Sequence, residues 1–466
     1  MRRLLALLVP LMTLTSPLSA QIIEPGGRPE DIALAASNPD EYAWRLFLFM
    51  NRQAAPKTAG VADASKSDIK QYDPDRPVVW ETWAFASGGS ATNNRSEVFK
   101  YPATAPVAWK DLDRSEPKEP VLSPSFKSNI AVLQATTRLR SALRANPASP
   151  PAVRSGDVSV FAAPVGVRPS DQEVRMNEST YNTVRSKVLY SVEGLEAAAQ
   201  KAKASGATSL VTFEPASKEV KAVWRPLPDC QVEQPCMQKD RYHWRVVTNP
   251  GNNKKEVWGL VALHIITKDL PNWFWSDFGH IDCETAQSAC DSHTSTGESP
   301  LRDATTGTSV PGGIGPSGKN GKRNETLGSK WENYRLRGTQ IAFISAEGRP
   351  TILSNPVIED GFQKSSCIAC HARATVALRA DVPFGGKFDS SGIAVFSSLN
   401  NYARNLGSAP VPEEAIGMSN EDCLQFLPKT VSACPTDREP KVPVYFQSDF
   451  LWSLPFRAFS KDKESK

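Results

Sequence analysis

Cys367, Cys370 and His371 stand at i, i+3 and i+4 in the run Cys367-Ile368-Ala369-Cys370-His371. On a helix this spacing puts the three side chains on one face. Two thiols placed so can add to two vinyl groups along one edge of a porphyrin. The imidazole one residue further on can then reach the iron from the same side. C-x-x-C-H is the attachment pattern of c-type haem. Cys367 and Cys370 are therefore candidates for the covalent thioethers, and His371 for the proximal iron ligand. Ala374 and Leu378, at i+7 and i+11, extend an apolar stripe such as a helix against a flat ring requires.

The same residues have other readings. A zinc site needs about four ligands, usually from a second Cys/His pair, and the chain has no second C-x-x-C. A redox dithiol belongs in a cytosolic βαβ setting, which the pattern of elements lacks. Two core cysteines falling together by accident is the third. The N-terminus favours haem. Arg2 and Arg3 precede an apolar run from Leu4 to Leu14, and Pro17-Leu18-Ser19-Ala20 offers a cleavage site before Gln21. This is the pattern of a secretory signal peptide, with residues 1–20 removed. The apolar run falls short of the ~20 residues of a spanning helix. The expectation is a periplasmic or secreted protein without a stable membrane anchor, and c-type haem is attached outside the cytoplasm.

Export also sets the reading of the other cysteines. Of eight, six remain after the haem pair, in the local couples Cys230/Cys236, Cys283/Cys290 and Cys423/Cys434. Three disulfides are expected in an oxidising compartment, local pairing being the preferred of the possible connectivities. Removing Arg2 and Arg3 with the signal lowers the formal net charge from +4 to +2. No basic cluster marks a nucleic-acid footprint, and no basic amphipathic helix marks a membrane surface. The expected partner is a redox protein or a small-molecule electron donor or acceptor. There is no phosphate loop, H-E-x-x-H or G-x-S-x-G. Gly312-Gly313-Ile314-Gly315 lacks the preceding strand of a dinucleotide fingerprint.

The distal side of the iron stays open. Met418 lies downstream at a spacing similar to that of small bacterial cytochromes c, and a thioether there would raise the potential. His280, closing Trp273-Phe274-Trp275-Ser276-Asp277-Phe278-Gly279-His280, is the rival and would give bis-imidazole ligation. His243 and His264 sit inside strand patterns and are read as packed residues, and His293 falls in a linker. Trp273 and Trp275 are either an aromatic wall near the haem or large core anchors. Glu81, between Trp80 and Trp83, is a lone carboxylate with no visible partner.

The supporting elements read as α+β. Thirty-seven prolines argue for a loop-rich chain. Asn38-Pro39-Asp40-Glu41 starts a helix running to about Arg52. Val78–Phe85 is expected as a strand, and Tyr181 to Leu195 as a second helix ending near Ser205-Gly206. Ser209–Phe213, Val220–Trp224, Tyr242–Thr248 and Val257–Thr267 are expected as strands of one antiparallel sheet, with a turn at 249–252. Residues 292–330, rich in Gly, Ser and Thr, read as a linker or long loop. Gly338–Ser345 and Thr351–Leu353 suggest a hairpin, and Phe450–Phe459 a short apolar element. The domains expected are an N-terminal α+β region over 21–291, the linker, and a mainly helical haem c-binding region over 331–466.

The run at 367–371 resembles the cytochrome c superfamily. Trp273-Phe274-Trp275 with His280, Gly338-Thr339-Gln340-Ile341-Ala342-Phe343 and Ser366 are similar, more loosely, to large exported bacterial mono-haem c-type cytochrome proteins. The resemblance implies one covalent haem c and electron transfer, with Cys367, Cys370 and His371 in the roles given above. The chain departs from small cytochromes c in that more than three hundred residues precede the motif. The resulting expectation is an exported mono-haem c-type cytochrome that carries single electrons rather than a defined catalyst. The alternatives are a haem enzyme, such as a peroxidase or small-molecule oxidoreductase, and a haem-based ligand-binding or sensing protein.

Overall fold

From Val257 to Ile266 the sequence is apolar at nearly every position, the composition of a strand buried on both faces. The computed structural model describes residues 23–66, 68–89, 94–114, 119–123, 171–249, 252–283, 302–303, 325–342, 352–353, 355, 357, 367–371, 374–377 and 445–461. In it this run is the central strand of an antiparallel sheet. The strands are β1 (Ala84–Phe85), β2 (Gln172–Met176), β3 (Lys218–Pro226), β4 (Trp244–Thr248), β5 (Lys255–Thr267), β6 (Phe274–His280), β7 (Arg302–Asp303), β8 (Tyr334–Gln340), β9 (Ile352–Leu353), β10 (Thr375–Ala377) and β11 (Tyr445–Gln447). Among the described residues the main sheet has seven strands in the order β1-β2-β3-β5-β6-β8, with β4 also on β5. β3 lines one edge of β5. β4 and β6 share the other edge, opposite residues 255–259 and 262–267 respectively.

Alternation along β5 divides the core. Leu263 and Ile265 face a cluster with Leu46 and Phe47 of α2 (Pro39–Met50), which follows α1 (Pro29–Ser37). Phe47 stacks on Phe278 of β6 at 4.3 Å, and Trp44 meets the same ring edge-on at 5.2 Å. Each such buried aromatic contributes about 1.5–3 kcal/mol. Ile266 and Trp275 face the opposite cluster. There they join Tyr181 and Val184 of α3 (Glu178–Ser186), Leu195 and Ala199 of α4 (Val192–Ser205), and Ile368, Leu451 and Leu454. Segments from both sides of the 292–330 stretch thus share one core. Three short helices complete the described set: α5 (Met237–Arg241), α6 (Cys367–His371) and α7 (Ser453–Arg457).

Local chemistry explains where elements begin and end. Asn38 caps α2 as expected, its side chain accepting from Glu41 N at 3.3 Å. The single helix expected across 181–205 is two, α3 and α4. The chain turns at Val188, whose φ is +59°. A Cβ at Gly194 would come within 1.8 Å of the Val188 carbonyl oxygen, so only glycine lets α4 pack back on the break. Residues 78–85 are not one strand either. Val79–Thr82 is a 3₁₀ turn closed by the Glu81 carboxylate accepting from Val78 N at 2.9 Å, and only Ala84–Phe85 pairs as β1. Of the hairpin expected between 338–345 and 351–353, residues 343–351 lie outside the described residues; among the described ones β8 pairs with β6, and β9 with β7. Ser209–Phe213 is likewise not a strand; Ser209 makes an isolated bridge to Gln447.

Cys230 and Cys236 form the expected disulfide, with 5.5 Å between their Cα atoms. Cys283 is disulfide-bonded as well. Cys290, Cys423, Cys434 and the proposed signal peptide lie outside the described residues. Among the described residues no helix is long and apolar enough to cross a membrane.

Glu81 has partners that the sequence conceals. Its carboxylate pairs with Arg245, whose Nε donates at 2.8 Å, and lies 3.0 Å from His243 Nε2. Tyr72 Oη is 3.0 Å from His243 Nδ1, and Arg245 Nη1 donates to Tyr72 at 3.2 Å. Burial alone would raise Glu81, but Arg245 and His243 hold it well below the usual carboxylate range. Burial pushes His243 down to about 4, against the opposing pull of Glu81. The neutral imidazole therefore donates from Nε2 to Glu81 and accepts from Tyr72 at Nδ1. A histidine with a native pKa of about 4, against 6.5 when exposed, binds its proton in the unfolded state first. Stability should be fully present above pH 6.5 and fall as the pH drops toward 4. Urea midpoints across that range would measure the slope, and His243→Gln should flatten it.

Candidate functional site

The motif helix α6 lies over the face of the sheet that carries Ile266 and Trp275. Its Ile368 amide, one of the donors that a helix start leaves unpaired, donates to Gln340 Oε1 of β8 at 2.9 Å. Cys367 is buried, and its Sγ lies 3.3 Å from the Leu353 carbonyl oxygen. Cys370 falls in the same helix.

His371 is buried, with Nδ1 2.7 Å from the Phe450 carbonyl oxygen. A carbonyl only accepts, so Nδ1 carries the proton and Nε2 the lone pair. This is the arrangement that orients a metal-binding imidazole. The indole of Trp275 packs against the His371 ring, with centroids 4.4 Å apart.

The carbonyl that orients His371 comes from an unusual turn. Asp449 and Phe450 are both left-handed, with φ of +48° and +68°. Such backbone is strained for residues other than glycine and persists only when its surroundings enforce it. Here they do. Asp449 Oδ1 accepts from Lys268 Nζ at 2.6 Å and Trp273 Nε1 at 3.3 Å, and Oδ2 from Phe213 N at 2.8 Å. Ser448 donates from both N and Oγ to the Ala374 carbonyl, each at 2.8 Å. The turn thus ties the segment just past His371 to the body of the protein. Trp273 is a core anchor in this arrangement, while Trp275 reaches the motif.

Between the sheet and the segments covering it lies a small cleft of about 60 Å³, well below the roughly 300–1,000 Å³ of small-molecule sites. Its floor follows the strand alternation: Val174 of β2, Glu219 and Lys221 of β3, His264 and Ile266 of β5, and Trp275 of β6. Cys367, His371, Trp452, Ser453 and Arg457 complete it. Burial pushes Arg457 down to about 10, with Glu219 opposing, so it remains a cation at neutral pH. Ser453 Oγ donates to Glu219 Oε2 at 2.8 Å.

Of the residues that the sequence singled out, Cys367, His371 and Trp275 meet in this cleft. His280 does not join them. Its ring stacks on Tyr242 at 3.7 Å, Nε2 lies 3.3 Å from the Arg241 carbonyl, and Nδ1 accepts from Asp282 N at 3.2 Å. Burial pushes it down to about 4, with Asp282 opposing. Met418 and His293 lie outside the described residues. His264, read from sequence as a packed residue, is buried beside Asp277, 2.9 Å from its carboxylate, and also borders the cleft. The available signal was an imidazole in a strand whose flanking residues are all aliphatic. Lys221 and Arg457 had no signal of their own, since their role comes from pairing register and from a distant helix.

Among the described residues, no group of three or more His, Cys, Asp or Glu converges as a metal site. The donor types at the motif, thiols and one oriented imidazole, are those of a c-type haem attachment, while the cleft beside them is smaller than a porphyrin.

Asp449 is the residue whose loss should disturb this geometry most. Asp449→Ala strands the buried Lys268 ammonium, and breaking a buried pair costs about 3–5 kcal/mol. Urea unfolding should show the fall, with Lys268→Met added to Asp449→Ala recovering part of it. No family model matches the chain, and no curated protein or solved structure matches it.

Proposed function

We propose that the chain is an exported mono-haem c-type cytochrome, a member of the cytochrome c superfamily that transfers single electrons. One observation carries the reading: the C-x-x-C-H helix borders an aromatic cleft, with the His371 Nδ1 proton held by the Phe450 carbonyl. Cys367 and Cys370 would supply the thioether links and His371 the proximal ligand. Bound there, the group supplies one-electron chemistry at iron.

The protein's own residues do the remaining work. Val174, Ile266, Trp275 and Trp452 offer apolar surface to a flat ring. Lys221 and Arg457 carry positive charge at the same cleft and suit the two carboxylates that haem bears. Trp275 fixes the plane of the His371 imidazole, and the Phe450 carbonyl fixes its tautomer and raises its basicity. The partner would be a redox protein or a small electron donor or acceptor, met in the periplasm or outside the cell.

The test is covalent attachment. The full chain, produced in a host that exports and matures c-type cytochromes, should keep its haem on a denaturing gel. The double variant Cys367→Ser/Cys370→Ser should lose all of that staining. Equal staining of the double variant would overturn the reading.

A further inference from the structure

Tyr72 is a half-buried phenol packed against the α2 cluster. Its Oη lies 3.0 Å from His243 Nδ1. The tautomer set by Glu81 leaves a lone pair on Nδ1, so Tyr72 donates and His243 accepts. On the far side of the ring, Nε2 is 3.0 Å from the Glu81 carboxylate, which Arg245 holds in turn. Phenol, imidazole and carboxylate form one line, the arrangement by which a hydroxyl is readied to lose its proton.

Other tyrosines are placed differently. Tyr181 and Tyr334 donate to the carbonyls of Val107 and Leu260, which cannot take a proton away. Tyr42 and Tyr242 are buried and donate to Asp269 and Asp282. Those carboxylates are already committed. Asp269 also accepts from Gly27 N and Thr267 Oγ1, and Asp282 pairs with Arg241. Tyr72 alone among these five joins partial exposure to an imidazole acceptor.

Indoles surround the same imidazole. The Trp331 ring centroid is 4.9 Å from that of His243 and 6.2 Å from that of Tyr72, and Trp224 is 5.6 Å from His243. Trp331 Nε1 is buried and makes no hydrogen bond. An indole oxidised there has nowhere to send its proton, whereas the neighbouring phenol has.

We propose that Tyr72 is a one-electron redox site of this protein. It gives one electron to an outer-sphere oxidant, an oxidised redox partner at the surface, while its phenolic proton moves to His243 Nδ1. The products are a neutral phenoxyl radical and an imidazolium. One electron from a reductant and return of the same proton restore the phenol.

The surroundings suit both states. After oxidation, Oη accepts from His243 Nδ1 and from Arg245 Nη1, which donates at 3.2 Å, and the imidazolium faces the Glu81 carboxylate. A histidine held at about 4 is a weak base, but a phenol that has lost an electron is a strong acid, so the transfer runs downhill. Before oxidation, Lys330 Nζ sits 3.9 Å from the centre of the Tyr72 ring. A cation on the ring face opposes loss of an electron, so the residue stays reduced until a strong oxidant arrives. Tyr72 belongs to the cluster on the other side of the sheet from Ile368 of α6, and the step needs no haem.

The experiment oxidises the full chain with photogenerated tris(bipyridyl)ruthenium(III), traps radicals by freezing and reads them by electron paramagnetic resonance. The wild type should give a neutral tyrosyl signal that forms more slowly in heavy water, because the proton moves with the electron. Tyr72→Phe, which removes only the hydroxyl, should lose most of that signal. His243→Gln should slow its formation and remove the isotope effect. A tyrosyl signal of undiminished size in Tyr72→Phe overturns the proposal, as does a wild type that traps only tryptophan radicals. Equal rates in ordinary and heavy water overturn it too, so failure of His243→Gln to fold leaves the wild type and Tyr72→Phe to decide.

Discussion

Everything in this fold depends on one strand being buried on both of its faces. β5 sends Leu263 and Ile265 toward the α2 layer, and His264 and Ile266 toward the motif helix. A slip of one residue would exchange the two sets, putting an imidazole against Phe47 and aliphatic side chains into the cleft. The aromatic contacts between α2 and β6 therefore do more than stabilise one layer. By fixing which way β6 and β5 face on the α2 side, they decide what the cleft on the far side contains.

Such a sheet has little tolerance for charge, yet it carries a good deal. Glu81, Glu173, Arg175, Arg245, Asp277 and Arg337 are all buried. They are tolerated because they occur as opposed partners with further hydrogen bonds, as buried charges must. Glu173, for example, pairs with Arg175 and accepts from Trp224 Nε1 at 3.0 Å. The cleft face differs: its polar groups, Glu219, Lys221, His264 and Arg457, border a small cleft rather than closing on one another alone. That contrast between closed networks and a polar-edged cleft separates the scaffold from the candidate site.

Much of this was legible in the sequence where the signal is local. The motif at 367–371, the Asn38 cap, the strands around 220–224, 244–248 and 257–267, and the disulfide at Cys230 all follow from spacing or composition over a few residues. What could not be read depends on distant partners. Glu81 turns its segment into a 3₁₀ turn because Arg245 and His243 draw it inward, and neither is visible from residues 78–85. β2 was hidden because Gln172-Glu173-Val174-Arg175-Met176 looks like exposed chain until Glu173 and Arg175 are seen to satisfy each other. The break at Val188 is enforced by close packing against Gly194. That buried His264 also borders the cleft was hidden, because pairing register, not the alternation within its own strand, decides what covers each face.

The acceptor that orients His371 belongs to Phe450, seventy-nine residues further along the chain. A polypeptide emerges from its N-terminus onward, so the Cys367–His371 helix is made before this carbonyl exists. During that interval the imidazole has no fixed tautomer, and the wall formed by Trp452 and Arg457 is missing. The order of synthesis therefore separates two events that the finished molecule superimposes: emergence of the thiols of Cys367 and Cys370, and closure of the turn and wall beside them. A chain truncated before Phe450 would present the first and never reach the second.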